Sequence, residues 1–246
     1  MNFNDEILKA DFVIDGRSHL PKHAEKEWAS RNPADLQGVC FHQSLEEYGT
    51  ARGNARYHVG PNHISQKGLP SLSYTMFVER SGDVFLANDV ECKTYSQGYR
   101  AEKGDENAAY IGVCFGGNFS GPGHEGTQRP TAAQLEVAQR LWHHLKGIWD
   151  WNDDALFGHF DFGKPACPGN ELTLIIEQIR PRRFDSVVEK QKALKWGQWY
   201  DGELDGMWGP LSKKALLAFQ RHAGLEPTGI WSHETSLAMR GFLEGS

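Results

Sequence analysis

The stretch Gly158–Gly169, GHFDFGKPACPG, constrains this chain more than any other. Its glycines and prolines make it a shaped loop, and it follows the apolar run Ala155-Leu156-Phe157. Inside it sit a histidine (His159), a carboxylate (Asp161), a lysine (Lys164) and a cysteine (Cys167). An imidazole and a thiolate on one such loop can reach a single metal ion, and zinc suits mixed nitrogen and sulfur ligation. The same pair also describes a surface histidine beside a buried free thiol, so the choice between the two rests on the rest of the chain.

With 246 residues, the chain has room for one large domain, or a medium domain and a small one. Hydrophobic residues make up 39% and charged residues 24%, which suits a globular protein. A net charge of -6 with no Lys/Arg block argues against a nucleic-acid partner. No apolar run approaches the roughly 20 residues that span a bilayer, so membrane insertion is not expected. The start, MNFNDEILKADFVIDG, lacks the basic and apolar segments of a signal peptide. The cysteines Cys40, Cys92, Cys114 and Cys167 are too few for a disulfide scaffold. With Cys167 on a metal, an odd number remains, which fits reduced thiols.

Periodicity divides the chain further. A helix is expected around His23 to Ser30. Leu36 to His42 (LQGVCFH) reads as a strand ending at a histidine, which is placed to project into a cleft but, taken alone, reads as a satisfied core or rim residue. Ser44 to Gly60 contains a helix-like stretch, and His58 and His63, flanking Gly60-Pro61, are expected at the surface. Ser73 to Asn88 predicts a hairpin, with runs Tyr74–Glu79 and Val84–Leu86 joined across Ser81-Gly82-Asp83. Tyr74 opens its first strand, where it either packs or points its phenol into a site. Ala109 to Gly116 is a further buried strand, followed by a flexible segment from Gly117 to Gly126.

Thr131 to Asp150 reads as a helix, with Thr131 and Gln134 forming a capping box. Leu135, Ala138, Trp142, Leu145 and Trp149 mark its buried face, leaving His143 and His144 solvated. A short helix follows over Leu172 to Ile179, and Pro181-Arg182-Arg183 breaks the pattern. Residues 1–181 therefore predict an α/β domain, a mixed β-sheet flanked by helices. Residues 185–246 predict a small all-α, three-helix domain. That tail echoes itself: Gly206-Met207-Trp208 with Ser212, Ala215 and Leu216 aligns with Gly229-Ile230-Trp231, Thr235, Ala238 and Met239.

Four motifs, GVCFHQS (Gly38–Ser44), LSYTMFVERSGDVF (Leu72–Phe85), NAAYIGVCFGGNF (Asn107–Phe119) and GHFDFGKPACPG, carry a resemblance. Residues from about 36 to 175 resemble the zinc amidases of the bacteriophage-lysozyme and peptidoglycan-recognition type. The resemblance implies zinc (Zn2+) held by His42, His159 and Cys167, with Tyr74 as the active-site tyrosine. Lys164 would be the oxyanion-stabilising group, although it lies three positions before Cys167 where many relatives place a lysine or threonine two before. The recycling branch carries a glutamate where this chain reads Ile111-Gly112-Val113-Cys114, which points to the tyrosine-using branch. Residues 185–246, above all DGELDGMWGPLSKKALLAFQRHAGLEPTGIW, are similar to the small helical peptidoglycan-binding domain.

The activity so implied is hydrolysis of the amide between N-acetylmuramic acid and L-alanine in bacterial peptidoglycan, by an endolysin-like monomer made in the cytoplasm. Tyr74 and Lys164 would stabilise the oxyanion. Asp161 would orient the loop or His159, and the tail would hold the wall with weak salt dependence. Two other readings compete: a cysteine hydrolase with Cys167 as nucleophile and His159 as base, and a metal-free recognition protein.

Overall fold

The computed structural model describes residues 1–246 except 48, 64, 66, 101–103, 121–126, 165, 181–183, 185 and 246. It contains two compact units, Met1–Arg180 and Pro181–Ser246. The segment 121–126, within the stretch expected to be flexible, and the break Pro181-Arg182-Arg183 lie outside the described residues.

Period-two alternation builds the larger unit. In chain order its strands are β1 (Val13–Asp15), β2 (Gly38–Gln43), β3 (Met76–Val78), β4 (Val84–Leu86), β5 (Tyr99–Arg100), β6 (Gly104–Asp105), β7 (Tyr110–Phe115) and β8 (Leu156–Gly158). Six of them form one sheet in the order β1-β4-β3-β7-β2-β8, and β5 and β6 form a separate ribbon. β3 and β4 pair antiparallel as the expected hairpin, turned by Gly82 at φ 93°. The other pairings in the large sheet are parallel, so the sheet is mixed.

The helices of this unit are α1 (Phe3–Ile7), α2 (Ala51–Val59), α3 (Glu106–Ala109), α4 (Ala132–Trp149) and α5 (Asn170–Ile179). Val39, Phe41, Ile111, Val113 and Phe115 share the main core with Ala138, Leu141, Trp142 and Leu145 of α4 and with Leu172 and Ile176 of α5. Each such large side chain, fully buried, contributes about 1.5–3 kcal/mol. The residues between them in β2 and β7, namely Cys40, His42, Gly112 and Cys114, must face the opposite side. There Cys114 and Phe77 pack with Ala51 and Ala55 of α2. One face of the sheet is thus the core, and the other carries the chemistry.

Helix α4 starts at the capping box: Gln134 N–H donates to Thr131 Oγ1 (3.1 Å) and Thr131 N–H to Gln134 Oε1 (3.1 Å). Buried Gln134 also donates to Gly116 O (2.9 Å), tying the helix start to the end of β7. His143 is exposed as expected, but half-buried His144 donates from Nε2 to Glu6 O and Ile7 O and joins α4 to α1. The helix expected over His23 to Ser30 is absent. Its backbone pairs at long range instead, His23 N–H with Pro70 O (2.8 Å), Ala29 O with Lys93 N–H (2.8 Å) and Ser30 with Cys92. Tertiary partners here override a modest local propensity.

The smaller unit is three helices, α6 (Val187–Trp196), α7 (Pro210–His222) and α8 (His233–Gly245), as expected. Its core includes Leu194, Leu216, Phe219 and Met239. The sequence echo has a physical basis in two fully buried glutamines. Gln191 accepts from Gly206 N–H (3.1 Å) and donates to Met207 O (3.1 Å) and Ser212 Oγ (3.2 Å). Gln220 accepts from Gly229 N–H (2.9 Å) and donates to Ile230 O (3.0 Å) and Thr235 Oγ1 (3.2 Å). Each half of the tail is one turn fastened by one buried amide.

Candidate metal centre

β8 lies beside β2 with Phe41 opposite Gly158, so the residue that leaves β8 lands next to the penultimate residue of β2. Those residues are His159 and His42. Their Nδ1 atoms are 3.1 Å apart, and Cys167 Sγ is 3.9 Å from His42 Nδ1. The three candidate ligand atoms all lie within 4.8 Å of one another. Tetrahedral zinc, with bonds of about 2.0–2.1 Å to nitrogen and 2.3 Å to sulfur, would separate its ligands by roughly 3.3–3.6 Å. The donor set suits such an ion, and the separations of 3.1 and 3.9 Å lie on either side of that span.

The loop that carries two of the three is closed on itself. His159–Phe162 is a 3-10 turn, Phe160 N–H donates to Cys167 O (2.8 Å) and Cys167 N–H to Lys164 O (2.9 Å). Gln43, the last residue of β2, holds the far side: its N–H points at Cys167 Sγ (3.4 Å) and its side-chain amide donates to Ala166 O (2.6 Å). His159 Nε2–H donates to Gln97 O (3.2 Å), which leaves the Nδ1 lone pair facing the site. Gly112 makes that contact possible, because a Cβ there would fall 2.3 Å from Ser96 Oγ and push the Gln97 loop away. His42 turns Nδ1 toward His159 and Cys167, and its Nε2 is buried with no hydrogen-bond partner among the described residues.

Asp161 orients the loop and not the imidazole. Its Oδ2 accepts from Gly158 N–H (3.0 Å) and from Arg180 Nη1 (2.8 Å). Arg180, buried at the C-terminal end of α5, also lies over the ring of Phe160.

Tyr74 lies two residues before β3 and does not open it. Its half-buried ring is 5.2 Å from that of His42, and its hydroxyl hydrogen-bonds with Cys114. Burial, with the nearby Cys114 and Cys167, pushes the phenol well above its ordinary value. The segment around it is pinned from several sides. Asn88 Nδ2 donates to Leu72 O and Tyr74 O (both 2.8 Å), and Arg31 Nη2 donates to Thr75 Oγ1 (3.1 Å). Ser73 N–H donates to His58 Nδ1 (3.1 Å). His58 and His63 are therefore not the surface groups expected: both are buried, and their rings pack edge to face at 5.3 Å. Burial, with His63 beside it, takes the His58 pKa down to about 4.

Burial likewise drives His42 well below the ordinary histidine value, with His159 adding to the effect. His159 is lowered by burial and by the charge of exposed Lys164, against the Gln97 carbonyl, which raises it. Burial pushes the Cys167 thiol up to about 11, against the Gln43 N–H. The folded site thus presents two neutral imidazoles and a thiol whose proton a metal cation would displace.

A family model described as N-acetylmuramoyl-L-alanine amidase matches residues 32–170, more than half of the chain. The chain belongs to that family. A peptidoglycan binding domain model matches residues 185–239 of the same amidase. Curated proteins gave no match. Among solved structures, the peptidoglycan recognition protein-LE in complex with tracheal cytotoxin is 18% identical with a TM-score of 0.52, covering 69% of the amidase and 94% of that chain. The endolysin amidase LysCS from Clostridium intestinale is 20% identical (TM-score 0.46; 66% and 97% covered). The Ph2119 endolysin from a Thermus scotoductus bacteriophage is 16% identical (TM-score 0.48; 68% and 99% covered). The first of these likenesses supports the fold, and no argument rests on the other two. The amidase is a peptidoglycan hydrolase, with the amide between N-acetylmuramic acid and L-alanine as its target.

Sequence reasoning missed Gln43, Gln97, Arg180 and His58. Gln43 alone carried a signal, its place directly after the histidine that ends a strand.

Proposed function

We propose that His42, His159 and Cys167 hold one zinc ion and that Tyr74 is the hydrogen-bond donor to the oxyanion formed as the lactyl–L-alanine amide is cut. The gathering of two imidazole nitrogens and one sulfur within 4.8 Å carries this reading. Bound there, zinc would supply a Lewis acid and lower the pKa of a coordinated water to about 7. The chain's own residues set the geometry: the Gln97 carbonyl fixes the tautomer of His159, Gln43 holds Cys167, and Asp161 with Arg180 holds the turn between them. Tyr74 lies against His42, where its phenol can turn from Cys114 to a developing negative charge. Lys164 adds a second cation at the exposed rim.

The tail would hold the insoluble wall and raise the local concentration of substrate. The amidase would then act as an endolysin-like monomer, made in the cytoplasm and active on the wall once it reaches it. No described helix is long and apolar enough to cross a membrane. The cysteine-hydrolase alternative requires a lowered thiol pKa, and burial moves Cys167 in the opposite direction.

Digestion of purified peptidoglycan tests the reaction. New L-alanine amino termini should appear while the glycan strands stay intact; reducing ends without amino termini would overturn the reading. Elemental analysis should find one zinc per chain in the wild type and none in Cys167→Ala. Wild-type metal content in that variant would remove Cys167 from the ligand set.

A further inference from the structure

We propose that the groove between the two halves of the tail is the wall-binding site, with Lys190 and Lys213 taking a stem-peptide carboxylate and Trp208 and Trp231 taking an amino-sugar ring. The proposal rests on the reading of residues 185–246 as a wall-binding domain and says where and how that domain binds.

The groove has a volume of about 400 Å³ and is lined by Lys190, Trp208, Lys213, Gly229, Ile230 and Trp231, with Val187 at its edge. Each half of the echo contributes a tryptophan to it, Trp208 from one and Trp231, with Ile230 before it, from the other. The two indoles meet at 6.1 Å and nearly at right angles, 84°. Two aromatic walls set this way form a corner that can receive the apolar face of a pyranose ring and the methyl of an acetamido group. Ile230 is 69% exposed, which leaves apolar surface at the rim that the tail itself does not cover. The corner is a built feature, since Gln191 fixes the turn before Trp208 and Gln220 the turn before Trp231.

The charges name the other half of the ligand. Lys190 Nζ lies 5.9 Å from the ring of Trp231. Lys213 runs its stem along Gly229, where a side chain would meet it, since a Cβ there would sit 2.8 Å from Lys213 Cε. Gly229 has φ 67°, so the turn both needs a glycine and leaves room for the lysine. Among the described residues no carboxylate lines the groove and neither lysine enters an ion pair. Two uncompensated ammonium groups in one groove call for an anion, and a peptide-bearing amino-sugar polymer offers carboxylates next to sugar rings. The weak salt dependence expected from the acidic whole chain then gives way to a measurable one, because the groove is locally cationic.

The test uses the full-length protein. Binding of wild type and of the double variant K190E/K213E to intact sacculi is measured by sedimentation on ice, together with melting temperature and cleavage of a soluble disaccharide-peptide. The variant should keep its melting temperature and its soluble activity but bind sacculi roughly tenfold more weakly. Sacculi whose carboxylates have been amidated should hold the wild type as weakly as untreated sacculi hold the variant. Trp208→Leu, which keeps an apolar group against the core, should also weaken binding. Equal binding by wild type and K190E/K213E would overturn the groove while leaving the wall-binding reading intact. Undiminished wild-type binding to amidated sacculi would overturn the carboxylate, and no wild-type binding at all would overturn the wall-binding reading itself.

Discussion

The two units place their buried polar groups in contrasting ways. In the tail each glutamine finds its partners close by in sequence, Gln191 in Gly206 and Ser212, Gln220 in Gly229 and Thr235. In the amidase unit His42 meets His159 across 117 residues and Cys167 across 125. A local amide of the first kind holds one turn, so its loss is a loss of fold. A long-range cluster of the second kind is held apart from its own chemistry by Gln43, Gln97 and Arg180, so the reacting groups can change while the fold remains. The tail is a repeat whose function follows from its shape; the amidase site is a set of functional groups on a frame that stands without them.

The comparison can be broken most decisively at Tyr74. Tyr74→Phe should lower kcat by roughly 10²–10³, the 2.7–4 kcal/mol that one oxyanion donor is worth. Zinc content, melting and sacculus binding should not move. An unchanged kcat would return Tyr74 to a packing role.

In the tail the same size of perturbation should act on stability instead. Gln220→Leu leaves the buried Gly229 N–H without its acceptor, at about 1–3 kcal/mol, and takes one donor each from Ile230 O and Thr235 Oγ1, which keep Thr228 and Ser232. Calorimetry should show a tail transition that falls steeply while the amidase transition stays. A shift of both together would mean that the units do not melt separately.

A third test sharpens the comparison by pH. His58 titrates near 6.5 in the unfolded chain and at about 4 in the folded one. Its stabilisation is complete above pH 6.5, is lost as pH falls through about 4, and is level below that. The loss is on the order of 3 kcal/mol, and protonation of Nδ1 also removes the acceptor for Ser73 N–H beside Tyr74. Melting of the amidase unit followed from pH 7 to 4 should drop less in His58→Gln than in wild type; parallel curves would exclude His58 as a source of acid sensitivity.

The contrast also explains what the sequence disclosed. Strands β2, β3, β4 and β7 were legible because each is a short β-rich run, and α4 because its capping box and apolar stripe are both local signals. The three candidate ligands were legible because they sit inside two motifs, His42 in GVCFHQS and His159 with Cys167 in GHFDFGKPACPG. His58 was not, since a histidine beside Gly60-Pro61 looks like a turn residue, and only the packing of Tyr57, His63 and Tyr74 around it makes it a buried acceptor. The expected helix over His23 to Ser30 failed for the same reason in reverse, because its competitors, Pro70 and Lys93, lie far along the chain. The echo in the tail was visible in glycines and tryptophans, but the glutamines that cause it are offset from the repeat and so did not align.

Arg180 has a consequence for anyone exchanging wall-binding tails between lysins. Helix α5 ends at Ile179, which would be the natural place to join a foreign module. The next residue, however, reaches back to Asp161 and Leu156 O and braces the turn that presents His159. A chimera joined after Ile179 would keep every candidate ligand and lose the brace behind one of them. The catalytic cartridge therefore includes Arg180, and the seam belongs after it.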